Sequence, residues 1–402
     1  MRKRPVVMTI AGSDSGGGAG LQADLKTFTS LGVFGTTVIT GLTAQNTKAV
    51  LKIYELPLDF IEAQFDAVCT DLKPKYAKTG MLGSGKIIDL VLKKIKEYNI
   101  NLVLDPVMVA KSGSLLVTED ISEHLRRAMK EALITTPNRY EAEILAKSKI
   151  NNKEDVKRVA KELYSKYGNI VVKGFNGEDY AIINGEEIEL KGENIITKNT
   201  HGSGDVFSAA LTAYLALGYK IKDAVIKAKE FVTFAIKYSL DLGEGYGPVD
   251  PYASSEALIQ RETGIEAIEK VLGYLESNLN VTLALLTDTF KANIAYVTDY
   301  GDVLSLAGGF IKYLNKIKID APILANLNNQ VSTLIKKTNG KIGILLPFTE
   351  KILNASEKGV IKLNESGING DALVSSDMVL IIANNAEELI RKLNEVARSW
   401  LL

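Results

Sequence analysis

The sequence is poor in several residue types that would otherwise define its class. It has one cysteine, one tryptophan and two histidines in 402 residues. A single cysteine, Cys69, excludes an internal disulfide framework and a metal site built from several cysteines. We therefore expect a cytoplasmic protein. Cys69 lies among apolar residues at helical spacing, which predicts a buried small hydrophobe rather than a nucleophile.

The chain also lacks an excess of charge of either sign. Lys and Arg together number 48, and Asp and Glu together also number 48. This balance argues against a nucleic-acid partner and against attachment to an anionic membrane surface. No apolar run approaches the roughly 18 residues of a membrane-spanning helix. We therefore expect a globular protein with small-molecule partners.

Strand and helix signals alternate along residues 1–250. Short runs rich in Val and Ile, such as 5–11, alternate with segments of helical periodicity, such as 153–167. This alternation predicts an α/β domain with a mainly parallel sheet between two layers of helices. Within it, Asn184-Gly185 stands between two alternating segments and predicts a β-hairpin.

The alternation is interrupted at residues 244–261, which contain Gly, Pro and Ser. We place a linker at 251–262 and a second, smaller domain at 263–402. The mixed strand and helix signals of the second domain predict an α/β or α+β architecture. No internal repeat is visible in either part.

The segment 199–208, NTHGSGDVFS, carries the strongest signal for chemistry. Two glycines precede an apolar-periodic helix, so backbone N–H groups and the positive end of the helix dipole would meet at one point. Such a point binds phosphate oxygens. Asp205 could take a proton from an acceptor hydroxyl while the backbone of Gly202, Ser203 and Gly204 holds the transferred phosphoryl group. The alternative is a capped helix start without a catalytic role.

Two other glycine-rich segments approach nucleotide-binding motifs without matching them. In residues 12–20, GSDSGGGAG, the glycines are out of register for a dinucleotide fingerprint. Residues 80–86, GMLGSGK, approach a P-loop, but Ile87 stands where a Ser or Thr would bind Mg²⁺. We therefore expect neither site.

Asn138 and Glu141 lie three residues apart where a predicted strand gives way to a helix. Both side chains could face the water shell of a Mg²⁺ ion near phosphates. A helix-capping motif is the alternative interpretation of the same spacing.

Residues 1–251 closely resemble the hydroxymethylpyrimidine/phosphomethylpyrimidine kinases of thiamine biosynthesis, within the ribokinase-like superfamily. The matching strings are AGSDSGGGAGLQADLKTF (11–28), TAQNT (43–47), KTGML (78–82), LDPVMVAKSG (104–113), TPNRYEAEIL (136–145), KNTHGSGD (198–205) and GYGPVDP (245–251). The resemblance implies a ribokinase-like three-layer α/β/α fold and a homodimer or higher homo-oligomer. It also implies ATP- and Mg²⁺-dependent phosphorylation of 4-amino-5-hydroxymethyl-2-methylpyrimidine, first to the monophosphate and then to the pyrophosphate.

The resemblance further implies roles for individual residues. Gln45 matches the pyrimidine-binding glutamine, and Asp24 matches a carboxylate of the substrate site. Other residues implied for the pyrimidine site are Gly12 and Ala19, which allow close backbone approach, and Met81 and Val107, which form walls. Residues implied for the nucleotide side are Lys111, Lys173 and Thr200. For the lysines, an ordinary surface position is the alternative.

Two positions depart from the family pattern. Many of these kinases carry Cys where this chain has Asp205. An aspartate is ionised at pH 7 whereas a thiol mostly is not, so the change retains a base. It leaves pyridoxal as an alternative substrate, because pyridoxal also presents a hydroxymethyl group on an aromatic heterocycle. Phe175 stands where the family commonly has glycine.

Residues 263–402 resemble, more weakly, the thiamine-phosphate synthase domain fused to such kinases. That family is expected to use His and Arg near phosphates, but this part of the chain has no His, and Arg391 and Arg398 both lie on the last predicted helix. We therefore expect a non-catalytic, ligand-binding or dimerising domain. A bifunctional kinase and synthase, a pyridoxal-type vitamin kinase and a non-catalytic vitamin-binding sensor are the alternatives for the whole chain.

Overall fold

The computed structural model describes residues 3–108, 121–314, 316–364 and 370–399. The chain divides into two compact units, Met1–Ser254 and Ser255–Leu402. In the described ranges, no helix combines the length and the apolar character needed to cross a membrane.

The first unit is built on a nine-stranded sheet, counted over the described residues, in the order β3-β2-β1-β4-β5-β6-β7-β8-β9. The strands are Val6–Asp14 (β1), Phe34–Gln45 (β2), Val50–Glu55 (β3), Tyr76–Thr79 (β4), Asn101–Leu104 (β5), Ile134–Thr135 (β6), Ile170–Phe175 (β7), Glu178–Ile183 (β8) and Glu186–Lys191 (β9). The neighbouring strands β2-β1-β4-β5-β6-β7 pair in parallel. Strands β3, β8 and β9 are antiparallel to their neighbours. The predicted mainly parallel sheet is therefore confirmed.

Helices cover both faces of this sheet. They are Gly20–Ser30 (α1), Leu58–Asp71 (α2), Gly85–Glu97 (α3), Ser122–Glu131 (α4), Arg139–Ala146 (α5), Lys153–Tyr167 (α6), Ser203–Ala216 (α7) and Ile221–Lys237 (α8). Successive strand residues enter opposite cores: Leu102 and Leu104 of β5 pack with α2, α3 and α6, while Val103 packs with α7 and α8. Strands buried on both faces explain the continuous apolar runs in the sequence.

The order of the strands determines where a ligand can bind. In the sheet, β2 lies on one side of β1 and β4 lies on the other side. The loops that leave the carboxyl ends of β1 and β4 therefore diverge, and a crevice opens between them. Helix α7 contacts β1, β4 and β5, so its residues come close to these strands.

The hairpin prediction at Asn184-Gly185 is confirmed. Ile183 pairs with Glu186, and the two turn residues have φ values of 50° and 85°. Positive φ at both central residues is typical of the tight turn that matches strand twist. Strand β3 was not predicted, because its side chains are almost all exposed and leave no alternation between buried and exposed positions.

The second unit is an α+β structure. Its main sheet, over the described residues, has the order β14-β11-β10-β15-β18-β17-β16 and is antiparallel except between β16 and β17. The strands of this unit are Asn293–Val297 (β10), Val303–Leu306 (β11), Phe310–Tyr313 (β12), Lys316–Ile319 (β13), Ile323–Ala325 (β14), Ile342–Pro347 (β15), Leu363–Asn364 (β16), Ala372–Ser375 (β17) and Met378–Ala383 (β18). Strands β12 and β13 form a separate hairpin.

The remaining helices are Ala253–Ser277 (α9), Leu279–Leu285 (α10), Gln330–Ile335 (α11), Glu350–Glu357 (α12) and Ala386–Arg398 (α13). Helix α9 begins at Ala253, so most of the predicted linker 251–262 is helical rather than irregular. Ala257, within that segment, is buried, and Arg261 pairs with Asp302 at 2.6 Å. These contacts stabilise the segment as a helix despite its serines.

The single cysteine behaves as a core residue. Cys69 on α2 is 4% exposed and packs in the core with Phe65 and Ile95. Burial, together with the carboxylate of Asp66, raises the pKa of the thiol to about 11. At pH 8 we expect a maleimide or disulfide reagent to label the native protein about 10²-fold more slowly than the protein unfolded in urea, because the thiolate is the reactive form. Equal rates in the two states would contradict this burial.

Candidate active site

The turn that enters α7 packs directly on the glycine-rich loop between β1 and α1. Gly202 precedes α7 with a φ of 78°, and a Cβ added there would lie 1.9 Å from the carbonyl oxygen of Gly18. Only glycine accommodates both the positive φ and this approach. The glycines of the two predicted segments thus meet in one place.

The N-terminus of α7 is positively polarised and open to an anion. The N–H of Ser203 donates to the carbonyl of Thr200, and that of Val206 donates to Gly202. The N–H groups of Gly204 and Asp205 have no acceptor among the described residues. The Lys173 ammonium lies beside the same turn, because a Cβ on Gly204 would be 3.4 Å from Nζ. Two N–H groups and one ammonium therefore converge on this site.

Asp205 lies in the first turn of α7, and its side chain is 16% exposed. Its Oδ1 is 3.3 Å from the ammonium nitrogen of Lys78 on β4. The same nitrogen is 2.9 Å from Oδ1 of Asp24 on α1. Lys78 and Asp24 are both fully buried. Asp205 is thus the solvent-facing end of a row of three charged groups.

Asp24 is out of reach of an organic ligand, because its side chain has no exposed surface. Its Oδ1 accepts from Lys78, and its Oδ2 accepts from the hydroxyl of Thr9 at 2.6 Å. Burial, with the Asp205 charge adding to it, raises the pKa of Asp24 to about 7. Burial would lower the pKa of Lys78, but the neighbouring carboxylates outweigh it and hold the pKa above its ordinary value. The structure therefore places Asp24 behind the pocket rather than in contact with a substrate.

A second buried acid–lysine group lies at the end of β5. Asp105 is 3.4 Å from Nζ of Lys173 and accepts from the hydroxyl of Ser208 at 3.0 Å. Burial raises the pKa of Asp105. Burial alone would lower the pKa of Lys173, but Asp105 and Glu141 raise this pKa above the ordinary value. The lysine is one-fifth exposed, so its ammonium can reach an anion in the crevice.

Asn138 and Glu141 form a capping box at the start of α5. The Asn138 side chain accepts from the Glu141 N–H at 2.9 Å, and the Glu141 carboxylate accepts from the Asn138 N–H at 2.8 Å. Burial raises the pKa of Glu141 to about 8. Over the described ranges, no group of three or more His, Cys, Asp or Glu side chains could hold a metal ion by itself.

Gly12, Gly80 and Met81 line the crevice on the side of β1 and β4. A Cβ on Gly12 would be 2.4 Å from the terminal methyl of Met81, so the methionine lies directly over the glycine backbone. A Cβ on Gly80 would lie 3.6 Å from Oδ1 of Asp205. A Cβ on Gly80 would also lie 2.9 Å from the Cβ of Ala11, so these glycines let the ends of β1 and β4 pack closely beside the carboxylate. Val107, after β5, is partly buried, and its N–H donates to Asp105.

Gln45, at the end of β2, belongs to a polar cluster with His201 and Asp14. Its Nε2 is 3.3 Å from Nε2 of His201, which is 3.2 Å from Oδ2 of Asp14. The Asp14 carboxylate also accepts N–H groups of the glycine-rich loop, including that of Ala19 at 2.9 Å. Burial opposes the charge of Asp14, but His201 and these N–H groups hold its pKa below the usual range. This cluster fixes the loop beside Gln45.

The structure thus brings most of the predicted residues to one crevice and adds four that were not assigned a role. Lys111 lies outside the described residues. The added residues are Asp14, Lys78, Asp105 and His201. All four stand inside the motif strings, and Lys78 could have been found as a charged residue within a short buried strand. Asp105 could have been found as an acidic residue that directly follows a short buried strand.

A family model described as phosphomethylpyrimidine kinase matches residues 14–250, which is more than half of the chain. The chain belongs to the phosphomethylpyrimidine kinase family. A hydroxymethylpyrimidine/phosphomethylpyrimidine kinase of Haemophilus influenzae is 42% identical over 62% of this chain and 97% of its own length. The kinase family of the first unit, predicted from the motif strings, is confirmed.

Two solved kinase structures share the fold of the first unit. The pyridoxal kinase of Staphylococcus aureus in complex with AMP-PCP and pyridoxal is 34% identical, with a TM-score of 0.58 over 63% of this chain and 95% of that chain. The phosphomethylpyrimidine kinase of Clostridium difficile is 39% identical, with a TM-score of 0.50 over 57% and 99%. The predicted ribokinase-like α/β fold is confirmed.

Proposed function

We propose that the first unit transfers the γ-phosphoryl group of ATP to 4-amino-5-hydroxymethyl-2-methylpyrimidine and then to the resulting monophosphate, in thiamine biosynthesis. The observation that carries this proposal is the position of Asp205. Its carboxylate lies in the first turn of α7, at the open helix N-terminus, and beside Gly80 at the end of β4. An acceptor hydroxyl bound beside Asp205 would therefore lie between a base and an anion site.

In the first transfer the substrate hydroxyl gives its proton to Asp205, and its oxygen forms the new bond to the γ-phosphorus. The bond from that phosphorus to the bridging oxygen breaks, and ADP leaves with the electron pair. The N–H groups at the start of α7 and the Lys173 ammonium stabilise the charge on the transferred group. In the second transfer a phosphate oxygen of the monophosphate is the nucleophile.

The proposal includes Mg²⁺, and the donor set of the crevice fits that ion through water. Each oxygen used in the Asn138–Glu141 capping box keeps a lone pair, and Glu141 is a buried acid that a cation would favour in its ionised form. These two residues would hold the hydrated ion. The ion would neutralise charge on the ATP phosphates.

On the substrate side, Gln45 fits the amine and ring nitrogen of the pyrimidine, since its amide both donates and accepts. Met81 over Gly12 supplies an apolar wall for the ring. The test is product analysis by phosphorus NMR after incubation of the whole protein with ATP, Mg²⁺ and the pyrimidine alcohol. We expect the monophosphate first and the pyrophosphate later. An unchanged alcohol would refute the proposal.

A pyridoxal-type kinase is the second candidate. The observation in its favour is the likeness of the first unit to the Staphylococcus aureus kinase, whose structure is described as a complex with pyridoxal. Both candidates need the same base and anion site, and they differ in the ring that lies beside Gln45. Direct competition between the two alcohols discriminates between them.

For the second unit we propose a role other than synthesis of thiamine phosphate. The support is the absence of His after residue 201 and the position of Arg391 and Arg398 on α13. We expect no thiamine phosphate when the protein is supplied with the pyrimidine pyrophosphate and thiazole phosphate. Formation of that product would establish a bifunctional enzyme and refute this part of the proposal.

A further inference from the structure

The row Asp24–Lys78–Asp205 contains one more charge than the proposed reaction needs. Asp205 alone would serve as a base, and Lys78 alone would keep it charged. We propose that Lys78 and Asp24 are positioning residues that set, in opposite directions, how readily Asp205 accepts the substrate proton. This inference rests on the proposed function, since it concerns the first phosphoryl transfer.

The geometry makes the three groups one electrostatic unit. The Lys78 ammonium is 2.9 Å from Asp24 and 3.3 Å from Asp205, so it is shared between two carboxylates. Lys78 and Asp24 have no exposed side-chain surface, so water does not screen them. The hydroxyl of Thr9 anchors the far oxygen of Asp24 at 2.6 Å. Thr9 thereby fixes the carboxylate that holds the ammonium.

The charge balance explains why the second carboxylate matters. Above the pKa of Asp24, which is about 7, both acids are ionised and the unit has a net charge of −1. It becomes neutral when Asp205 takes the substrate proton. Without Asp24 the same step would turn a neutral pair into an isolated buried ammonium, which is unfavourable. Without Lys78 two carboxylates would face each other, and one of them would hold a proton before the substrate arrives. Asp24 therefore favours acceptance of the proton by Asp205, and Lys78 disfavours it.

Two other charged groups face Asp205 from neighbouring elements. Asp105 at the end of β5 and Lys173 on β7 lie on the side of Gly204, and they are 3.4 Å apart. Their opposite charges largely offset each other at Asp205. Within the described structure, Lys78 is the charged group that contacts Asp205 directly, and Asp24 is bound to Lys78, so this pair acts on Asp205 at the shortest distance.

The experiment compares the pH dependence of kcat/KM for the first transfer in the wild type, Asp24→Asn, Lys78→Met and the double variant. For Asp24→Asn we expect the acidic limb to move down by about one pH unit, with a slower plateau, because the base is weaker. For Lys78→Met we expect it to move up by about one unit. In the double variant the two changes offset, so the limb returns to within about half a unit of the wild type. Titration of the substrate ring is common to all four proteins.

The matched control is Lys94→Met on α3. Lys94 is also a buried lysine, 4% exposed, and it pairs with Glu62, Asp66 and Glu97 away from the crevice. The Lys94→Met substitution should lower stability without moving the acidic limb of the pH profile. If Lys78→Met does not fold, Asp24→Asn can be compared with the double variant instead. This comparison removes Lys78 without leaving two facing carboxylates. The acidic limb of the double variant must then lie at higher pH than that of Asp24→Asn.

The outcomes separate this inference from the proposed function. If the wild type phosphorylates the pyrimidine but the acidic limb of the pH profile lies at the same pH in all variants, only the roles of Lys78 and Asp24 are overturned. Shifts in the same direction for both single variants would also overturn them. Absence of wild-type turnover would overturn the proposed function, and this inference with it.

Discussion

Replacement of Asp205 by Asn is expected to reduce the first phosphoryl transfer by about 10²- to 10⁴-fold, the usual contribution of a general base. The second transfer should fall much less. Its nucleophile is a phosphate oxygen whose second pKa is near 6, so it is largely ionised without help from a base. Single-turnover measurements with the alcohol and with its monophosphate, on the same enzyme preparation, give the two losses separately.

A matched variant of this experiment is Asp205→Cys, which introduces the residue that many members of the family carry. An ordinary thiol becomes a thiolate near pH 8.5. The first transfer by this variant should therefore increase with pH between 7 and about 8.5, and the wild type should lack this increase. Equal losses in the two transfers for Asp205→Asn would contradict a base at this position.

Replacement of Gly202 by Ala is expected to be the most damaging single-methyl change in the first unit. The added Cβ would lie 1.9 Å from the carbonyl oxygen of Gly18, so one of the two loops must move. A displacement of about 1 Å at reacting groups can cost about 10²-fold in rate. We expect losses of that order in both transfers, because both use the N–H groups at the start of α7.

Gly218→Ala is the matched control for the backbone conformation. Gly218 has a φ of 93°, comparable to 78° at Gly202, but no atom lies within 4 Å of its added Cβ. Both variants carry the cost of a positive φ, about 1 kcal/mol, which lowers Tm by a few degrees. Only Gly202→Ala should lose activity. Equal kcat values in the two variants would show that contact with Gly18 does not position the site.

The sequence was sufficient for the parts of the fold that depend on local pattern. Helix α6 was predicted at its observed bounds, because its apolar spacing and its Asn152 cap lie within one segment. Strand β3 was not predicted, because an exposed edge strand lacks a buried face. The start of α9 was not predicted either, since contacts such as Arg261 with Asp302 become visible only in the folded chain.

For the site, the sequence indicated the N-terminus of α7 and Asp205, because a helix end and an acid in its first turn are local features. It could not place Asp24, since the partner that covers its carboxylate is Lys78, 54 residues further along the chain. That pairing depends on β1 and β4 lying side by side with α1 packed against β1. The sequence showed two isolated charges where the structure has one buried unit.

The two candidate functions differ in which alcohol the crevice accepts. The most direct measurement is a competition in which equal concentrations of the hydroxymethylpyrimidine and pyridoxal share limiting ATP with Mg²⁺, and the phosphorylated products are counted by mass spectrometry. We expect the pyrimidine monophosphate and pyrophosphate to form most of the product. Pyridoxal phosphate as the main product would contradict this expectation and would assign the same base and anion site to a pyridoxal kinase.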